Sequence, residues 1–295
     1  MSMIIECQNL RHAYGEKDVL HDLSFTVEAG GVFGLLGKNG AGKTTTIDIL
    51  MGFLRPTGGH CRVLGEASHV LSPPTRRRIG LLHERFIQYD FMSVAELERY
   101  YAAFYPKWER DIFMELVSRL QVPPDRKLAR MSCGQRSQVV LGLIVAQRPD
   151  LMILDDYSMG LDVGYRRLFI EFLGDYVQRY GTTILITSHV VQELDPIIDN
   201  LIILDQGRIC VSGSKQAFMD NFKCFSFERS PASEGLAAGE LLVRLEHARE
   251  QTIVHGFLSG ERLSAHLQDC GVPHETLQQI PMNFEDAFIG LTGKY

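Results

Sequence analysis

No apolar run in this 295-residue sequence approaches the roughly 20 residues that a membrane-spanning helix needs; the longest are short, such as VVLGLIVA from Val139 to Ala146. The amino terminus, MSMIIECQNL, has no basic stretch ahead of an apolar one, so no secretory signal is read there. The six cysteines are scattered and none forms a CxxC pair, which argues against a zinc site or a dithiol redox motif. A basic excess is missing too: net charge is −6, and the best basic run, Arg76–Arg78, reads as a solvated face. Nucleic acid is therefore not expected as a partner. These shortages together predict a cytoplasmic protein with reduced thiols.

What is present is a rhythm of short apolar segments and helical patterns. VFGLLG (32–37), RRIGLLHE, LMILD and TTILITS read as buried strands, and KTTTIDILMGFL reads as a helix. IIECQNL and LSFTVEAGG read as further strands, and LIILDQGRICVSG as two strands around a Gln-Gly turn. From Met92 to about Ala146 the pattern turns helical, with VAELERYYAAFY and DIFMELVSRL as amphipathic candidates. Strands alternating with helices predict an α/β core. After about Phe222 the pattern changes: SPASEGLAAGE is a loop signal, and FSFER, LLVRLEH and TIVHGFLSGERLSAHLQDCG read as strand, strand and strand-helix. The expected division is 1–222 for the core, with a helical insertion at about 91–147, and 223–295 for a small α+β appendage.

Gly37–Thr45, GKNGAGKTT, lies between a buried strand and a helix, which is the P-loop pattern in its proper context. Gly37, Gly40 and Gly42 let the backbone turn its N–H groups toward phosphate oxygens. Asn39 stands in the same loop, Lys43 is placed to reach the β and γ phosphates, and Thr45 to help position them. The Thr44 hydroxyl is placed to bind Mg²⁺. In P-loop enzymes an acid at the end of an apolar strand also holds that ion, and Asp155 follows LMIL directly. Asp156, next in sequence, is placed to orient the attacking water.

MSCGQRSQ, Met131–Gln138, resembles the LSGGQ signature of ATP-binding-cassette (ABC) proteins, and it precedes the acidic strand at that family's usual distance. SMGLD resembles the D-loop, giving Asp162. ILITSH resembles the switch strand, ending in His189. IGLLHE resembles the strand into the Q-loop, placing Glu84. The amino-terminal segment places Tyr14 where an aromatic stacks on adenine, a contact of roughly 1–3 kcal/mol. The resemblance covers about residues 1–222, and the helical segment with the appendage looks most like ATPase subunits of ABC-2-type exporters.

The resemblance implies a P-loop ABC ATPase core with an antiparallel β subdomain, binding ATP and Mg²⁺. Thr44, Asp155 and Glu84 would hold the metal, and Asp156, His189 and Glu84 would be catalytic. Ser132, Cys133, Gly134 and Gln135 would act on the nucleotide of a second ABC ATPase subunit, an identical or a different chain. A separate membrane permease is the other implied partner, holding this chain at the cytoplasmic face. Four places depart from the family pattern. Asp156 replaces glutamate, Glu84 replaces glutamine, Cys133 replaces the first signature glycine, and Tyr157 and Ser158 replace proline and threonine. A shorter acid loses roughly 1.5 Å of reach, and a misplacement of about 1 Å can cost around 10²-fold in rate. A slow nucleotide switch, or an ABC ATPase serving a task other than transport, are the alternative readings.

Overall fold

The computed structural model describes residues 2–83, 89–120, 122–158, 160–188, 190–239 and 241–293. The chain divides into two compact units, Met1–Ser212 and Gly213–Tyr295.

The first unit begins with β1 (Met3–Tyr14) and β2 (Lys17–Glu28), followed by β3 (Val32–Gly37) and α1 (Lys43–Leu50). Then come β4 (Gly58–Val63), β5 (Glu66–Ala67), α2 (Pro73–Arg76) and β6 (Ile79–Leu82). The helices α3 (Val94–Ala102), α4 (Arg110–Ser118) and α5 (Cys133–Ala146) lead to β7 (Leu151–Leu154). The unit closes with α6 (Val163–Tyr180), β8 (Thr183–Ile186), α7 (Val191–Leu194), β9 (Asn200–Asp205) and β10 (Arg208–Ser214), whose last residues pass into the second unit.

One sheet has the order β2-β1-β4-β5 with antiparallel pairing. Its strands alternate buried and exposed residues, as a sheet with one covered face must. The other has the order β10-β9-β3-β8-β7-β6, and β9, β3, β8, β7 and β6 run parallel. β3, β7 and β8 are buried along their whole length, which explains their unbroken apolar character. One core joins both sheets to α1: Leu23 and Phe25 of β2, Leu35 of β3, Ile47 and Leu50 of α1, and Ile153 of β7 all belong to it.

The order β3-β8-β7 decides where a ligand can sit. Those three neighbours run in the same direction, so their carboxyl ends emerge side by side. Open α/β sheets place ligands in the crevice beyond such ends.

α3, α4 and α5 build a separate apolar cluster from Val94, Leu97, Phe113, Val117, Val139 and Leu143. Ser93 and Glu96 form a reciprocal capping box that starts α3. Tyr105–Trp108 makes the connection between α3 and α4, and Trp108 packs against this cluster while its indole N–H donates to Glu98 at 3.0 Å.

The second unit holds α8 (Lys215–Asn221), β11 (Lys223–Glu228), β12 (Arg244–His247) and β13 (Gln251–Gly256). α9 (Gly260–Asp269), β14 (Gln278–Ile280) and α10 (Phe284–Thr292) complete it. Its sheet has the order β12-β13-β11-β14, paired antiparallel. The contacts divide the chain earlier than the break expected at Phe222. The reason is aromatic: Phe218 of α8 and Phe222 meet Phe257, and Phe218 also meets Phe284. α8 is thereby part of the second unit's packing. β12 is shorter than the expected LLVRLEH strand, and α1 stops at Leu50 rather than running on to Leu54.

Candidate functional site

The P-loop is held chiefly by backbone. α1 starts at Lys43, with Gly42 as its N-cap at φ 102°. A Cβ on Gly42 would lie 2.5 Å from the Leu20 side chain, so both the conformation and the space demand glycine. The Ala41 N–H donates to the Lys38 carbonyl at 3.1 Å, and the Thr46 hydroxyl donates to the Gly42 carbonyl at 2.8 Å. Lys43 curls back across the loop, donating from Nζ to the carbonyls of Gly37 (2.7 Å) and Lys38 (3.1 Å). Partial burial lowers its pKa, while the charges of Asp155 and Asp156 pull the other way.

A cleft of about 830 Å³ opens beside this loop. Asn39, Gly40, Gly42, Lys43, Thr44 and Thr45 line one side of it, and Tyr14 lines it from the end of β1. Gly37 does not line the cleft; its carbonyl is the lysine's acceptor. The Tyr14 ring is half exposed and stands edge-on to His12, with centroids 4.6 Å apart. Lys17, Asp18, Val19 and His21 of β2 add to the wall, as do Gln206 and Arg208 from the β9–β10 turn. The sequence motifs do not point to this second group. Its only signal is the Gln-Gly turn, and what brings that turn to the cleft is a long-range bond from the His21 N–H to the Gly207 carbonyl at 2.8 Å.

The two acids at the end of β7 are held by side chains. Asp155 is 3% exposed, and its N–H donates to the Leu82 carbonyl at 2.9 Å. Thr187, just past β8, serves both acids: its hydroxyl donates to Asp155 Oδ1 at 2.8 Å and accepts from the Asp156 N–H at 2.9 Å. Asp156 has a left-handed backbone at φ 46°, a conformation aspartate tolerates better than most residues. The Ser158 hydroxyl donates to Asp156 Oδ1 at 2.9 Å. Thr187 carries no signal of its own in the sequence, although it sits in ILITSH.

The signature helix α5 starts at Cys133, with Ser132 as its N-cap. Ser132 Oγ accepts from the Gln135 N–H at 3.2 Å, and Gln135 Oε1 accepts from the Ser132 N–H at 3.0 Å. Gly134 closely approaches the loop after the acids: a Cβ there would lie 2.7 Å from the Gly160 carbonyl oxygen. The thiol of Cys133 lies over the same glycine, since a Cβ on Gly160 would come within 2.6 Å of its sulfur. Asp162 caps α6 by accepting from the Tyr165 N–H at 2.9 Å. Glu84 and His189 lie outside the described residues.

For a divalent cation the candidate donors would be a buried carboxylate, Asp155, and the hydroxyl of Thr44. Both are hard oxygens of the kind Mg²⁺ takes. Among the described residues no group of three His, Cys, Asp or Glu side chains is arranged to hold a metal. Mg²⁺ commonly binds through one or two carboxylates plus substrate phosphates, so this donor set fits it.

The family profile described as ABC transporter matches residues 20–158. The Nod factor export ATP-binding protein I of Sinorhizobium fredii is 32% identical over 303 residues, covering 98% of this chain and 86% of that protein. Among solved structures, an ATP-binding subunit of an ABC transporter superposes with a TM-score of 0.65 at 24% identity, covering 74% of this chain and 92% of its own. A dimeric ATP-binding cassette in a post-hydrolysis state, bound to ADP and phosphate, gives a TM-score of 0.62 at 18% identity, over 71% of this chain and 98% of that one. These two superpositions speak to the fold.

Proposed function

The chain belongs to the ABC transporter family as an ATP-binding subunit, and from that premise we propose that it is the ATP-hydrolysing motor of an exporter whose membrane-spanning part is a separate chain. The observation that carries this reading is the convergence of β3, β8 and β7, which sets the P-loop, Thr187 and the two acids at adjoining strand ends. No helix among the described residues is long and apolar enough to cross a membrane. A transport role therefore calls for a permease, with this subunit docked on its cytoplasmic side.

In this reading the triphosphate lies along the P-loop, where the amino end of α1 and Lys43 neutralise its charge. Tyr14 stacks on the base. Asp155 and Thr44 would hold Mg²⁺, which when bound neutralises charge developing on the phosphates. Asp156 orients the attacking water from the position Thr187 and Ser158 give it. Glu84 and His189 keep the catalytic roles, and Glu84 the metal-binding one, that the resemblance implies for them. The capped end of α5, with Ser132, Cys133, Gly134 and Gln135, is an anion site offered to the nucleotide of a second subunit. ATP then bridges two subunits and closes them; hydrolysis and phosphate release remove the contacts that favoured closure.

The permease would dock on the aromatic surface of the helical segment. Phe91, Tyr100 and Phe104 are exposed and meet in a chain of ring contacts through Tyr89. Because the membrane partner selects the cargo, export is the class of task proposed, by analogy with the Nod factor export named for the relative.

Steady-state ATPase activity of wild type beside Asp156→Asn and Asp156→Glu tests the reading. Turnover in wild type, lost by about 10²-fold or more in the Asn variant, is expected if the short acid is in place. A wild type that hardly turns over, with activity restored by the Glu variant, would make this chain a slow nucleotide switch instead.

A further inference from the structure

Tyr157 stands where the family pattern has proline, and its surroundings go beyond tolerance of a larger residue. The ring is 1% exposed and stacks near Phe169 of α6, with centroids 6.2 Å apart. Its hydroxyl donates to Glu193 Oε2 at 3.1 Å. The other oxygen of Glu193 accepts from Arg166 Nη1 at 2.8 Å, and Arg166 Nε donates to the Leu161 carbonyl at 3.1 Å. The chain of bonds thus runs from the residue after Asp156, through α7, to α6 and back to the residue before Asp162.

We propose that Tyr157 is a positioning residue for hydrolysis, tying the strand end that carries the acids to α7 and, through Glu193 and Arg166, to the D-loop. The proposal rests on the ATPase reading of Asp156. The physical need is plain: a short acid has little slack, so a small shift of the backbone beside it moves the carboxylate off its target. The D-loop end is fixed by the Asp162 cap and by Arg166, and the acid end by Thr187 and Ser158. Glu193 joins the two through one carboxylate. In sequence, Glu193 follows closely on His189, so the bond also ties the acids to the segment after the switch strand.

The test uses the full chain with Tyr157→Phe, Glu193→Ala and the double variant, measuring kcat, KM for ATP and Tm, with Asp156→Asn alongside. Removing the hydroxyl while keeping the ring is expected to lower kcat by roughly tenfold and to leave KM within about twofold. The double variant should be no slower than Glu193→Ala alone, because both changes break the same bond. A Tyr157→Phe enzyme with a lower Tm but unchanged kcat, or a double variant in which the two effects multiply, overturns the proposal while an inert Asp156→Asn keeps the ATPase reading. If Asp156→Asn turns over like wild type, the reading of the acid falls and the positioning role falls with it.

Discussion

The two halves of the nucleotide site are built on different principles. The P-loop is a local object: Lys43 bonds Gly37 and Lys38, Ala41 bonds Lys38, and Thr46 bonds Gly42. Its shape follows from glycines and from the start of a helix within a few residues of chain. The acid loop is an object of distant side chains. Asp155 and Asp156 meet Thr187, and Tyr157 meets Glu193, each across more than thirty residues of sequence. A short motif can encode the first kind of site by itself. The second kind depends on the sheet order β3-β8-β7 being in place before any of its contacts can exist.

That contrast can be broken experimentally, and the largest effect belongs to the local half. Lys43→Ala removes the charged donor from the phosphate cradle, a loss of about 2–3 kcal/mol or roughly 100-fold in ATP affinity. The fold should survive, since the loop's other bonds are to backbone; equilibrium binding of a fluorescent ATP analogue and a melting curve measure the two separately. An unchanged affinity would mean the cleft does not hold the triphosphate along this loop. Thr187→Val comes next and strikes the distant half. It conserves shape but strips the Asp155 bond and the acceptor of the Asp156 N–H, costing about 1–3 kcal/mol in stability. It should reduce kcat by roughly tenfold through the acid's orientation, with ATP affinity little changed. If affinity fell as much as kcat, the two halves would not be separable. Gly160→Ala is the smallest: a left-handed alanine costs about 1–2 kcal/mol, plus the clash with the Cys133 sulfur. Urea denaturation should show Cys133→Gly recovering the clash but not the backbone strain.

The same contrast explains what can be read from sequence. The buried parallel strands, α1 and the P-loop are legible because their causes are local: unbroken apolar runs and a glycine loop ahead of a helix. α6 is absent from the sequence-based expectations, although it is the longest helix among the described residues. Its pattern VGYRRLFIEFLGDYVQRY lies in the shadow of the D-loop motif. The cap that starts it at Asp162 and the Gly181 that ends it in a left-handed turn are both local signals that could have found it. The Gln206–Arg208 wall of the cleft and the service of Thr187 to both acids are not legible by local signals. They arise from pairing between distant segments, which no spacing rule along one strand reports. The boundary between the units falls in the same class, since it is set by where Phe218 and Phe222 find aromatic neighbours.

The packing of Cys133 on Gly160 also places a constraint on how this chain can diverge. A side chain at 160 and the thiol at 133 would claim the same space, so a change at 160 drives the Cys133 sulfur to another position. The conflict is with the sulfur alone: the Cys133 Cβ stands 3.6 Å from the same point, an ordinary contact, so alanine at 133 relieves it as glycine does. The left-handed backbone at 160 favours glycine whatever stands at 133. The departure from the signature thus leans on a neighbour that carries no side chain at all.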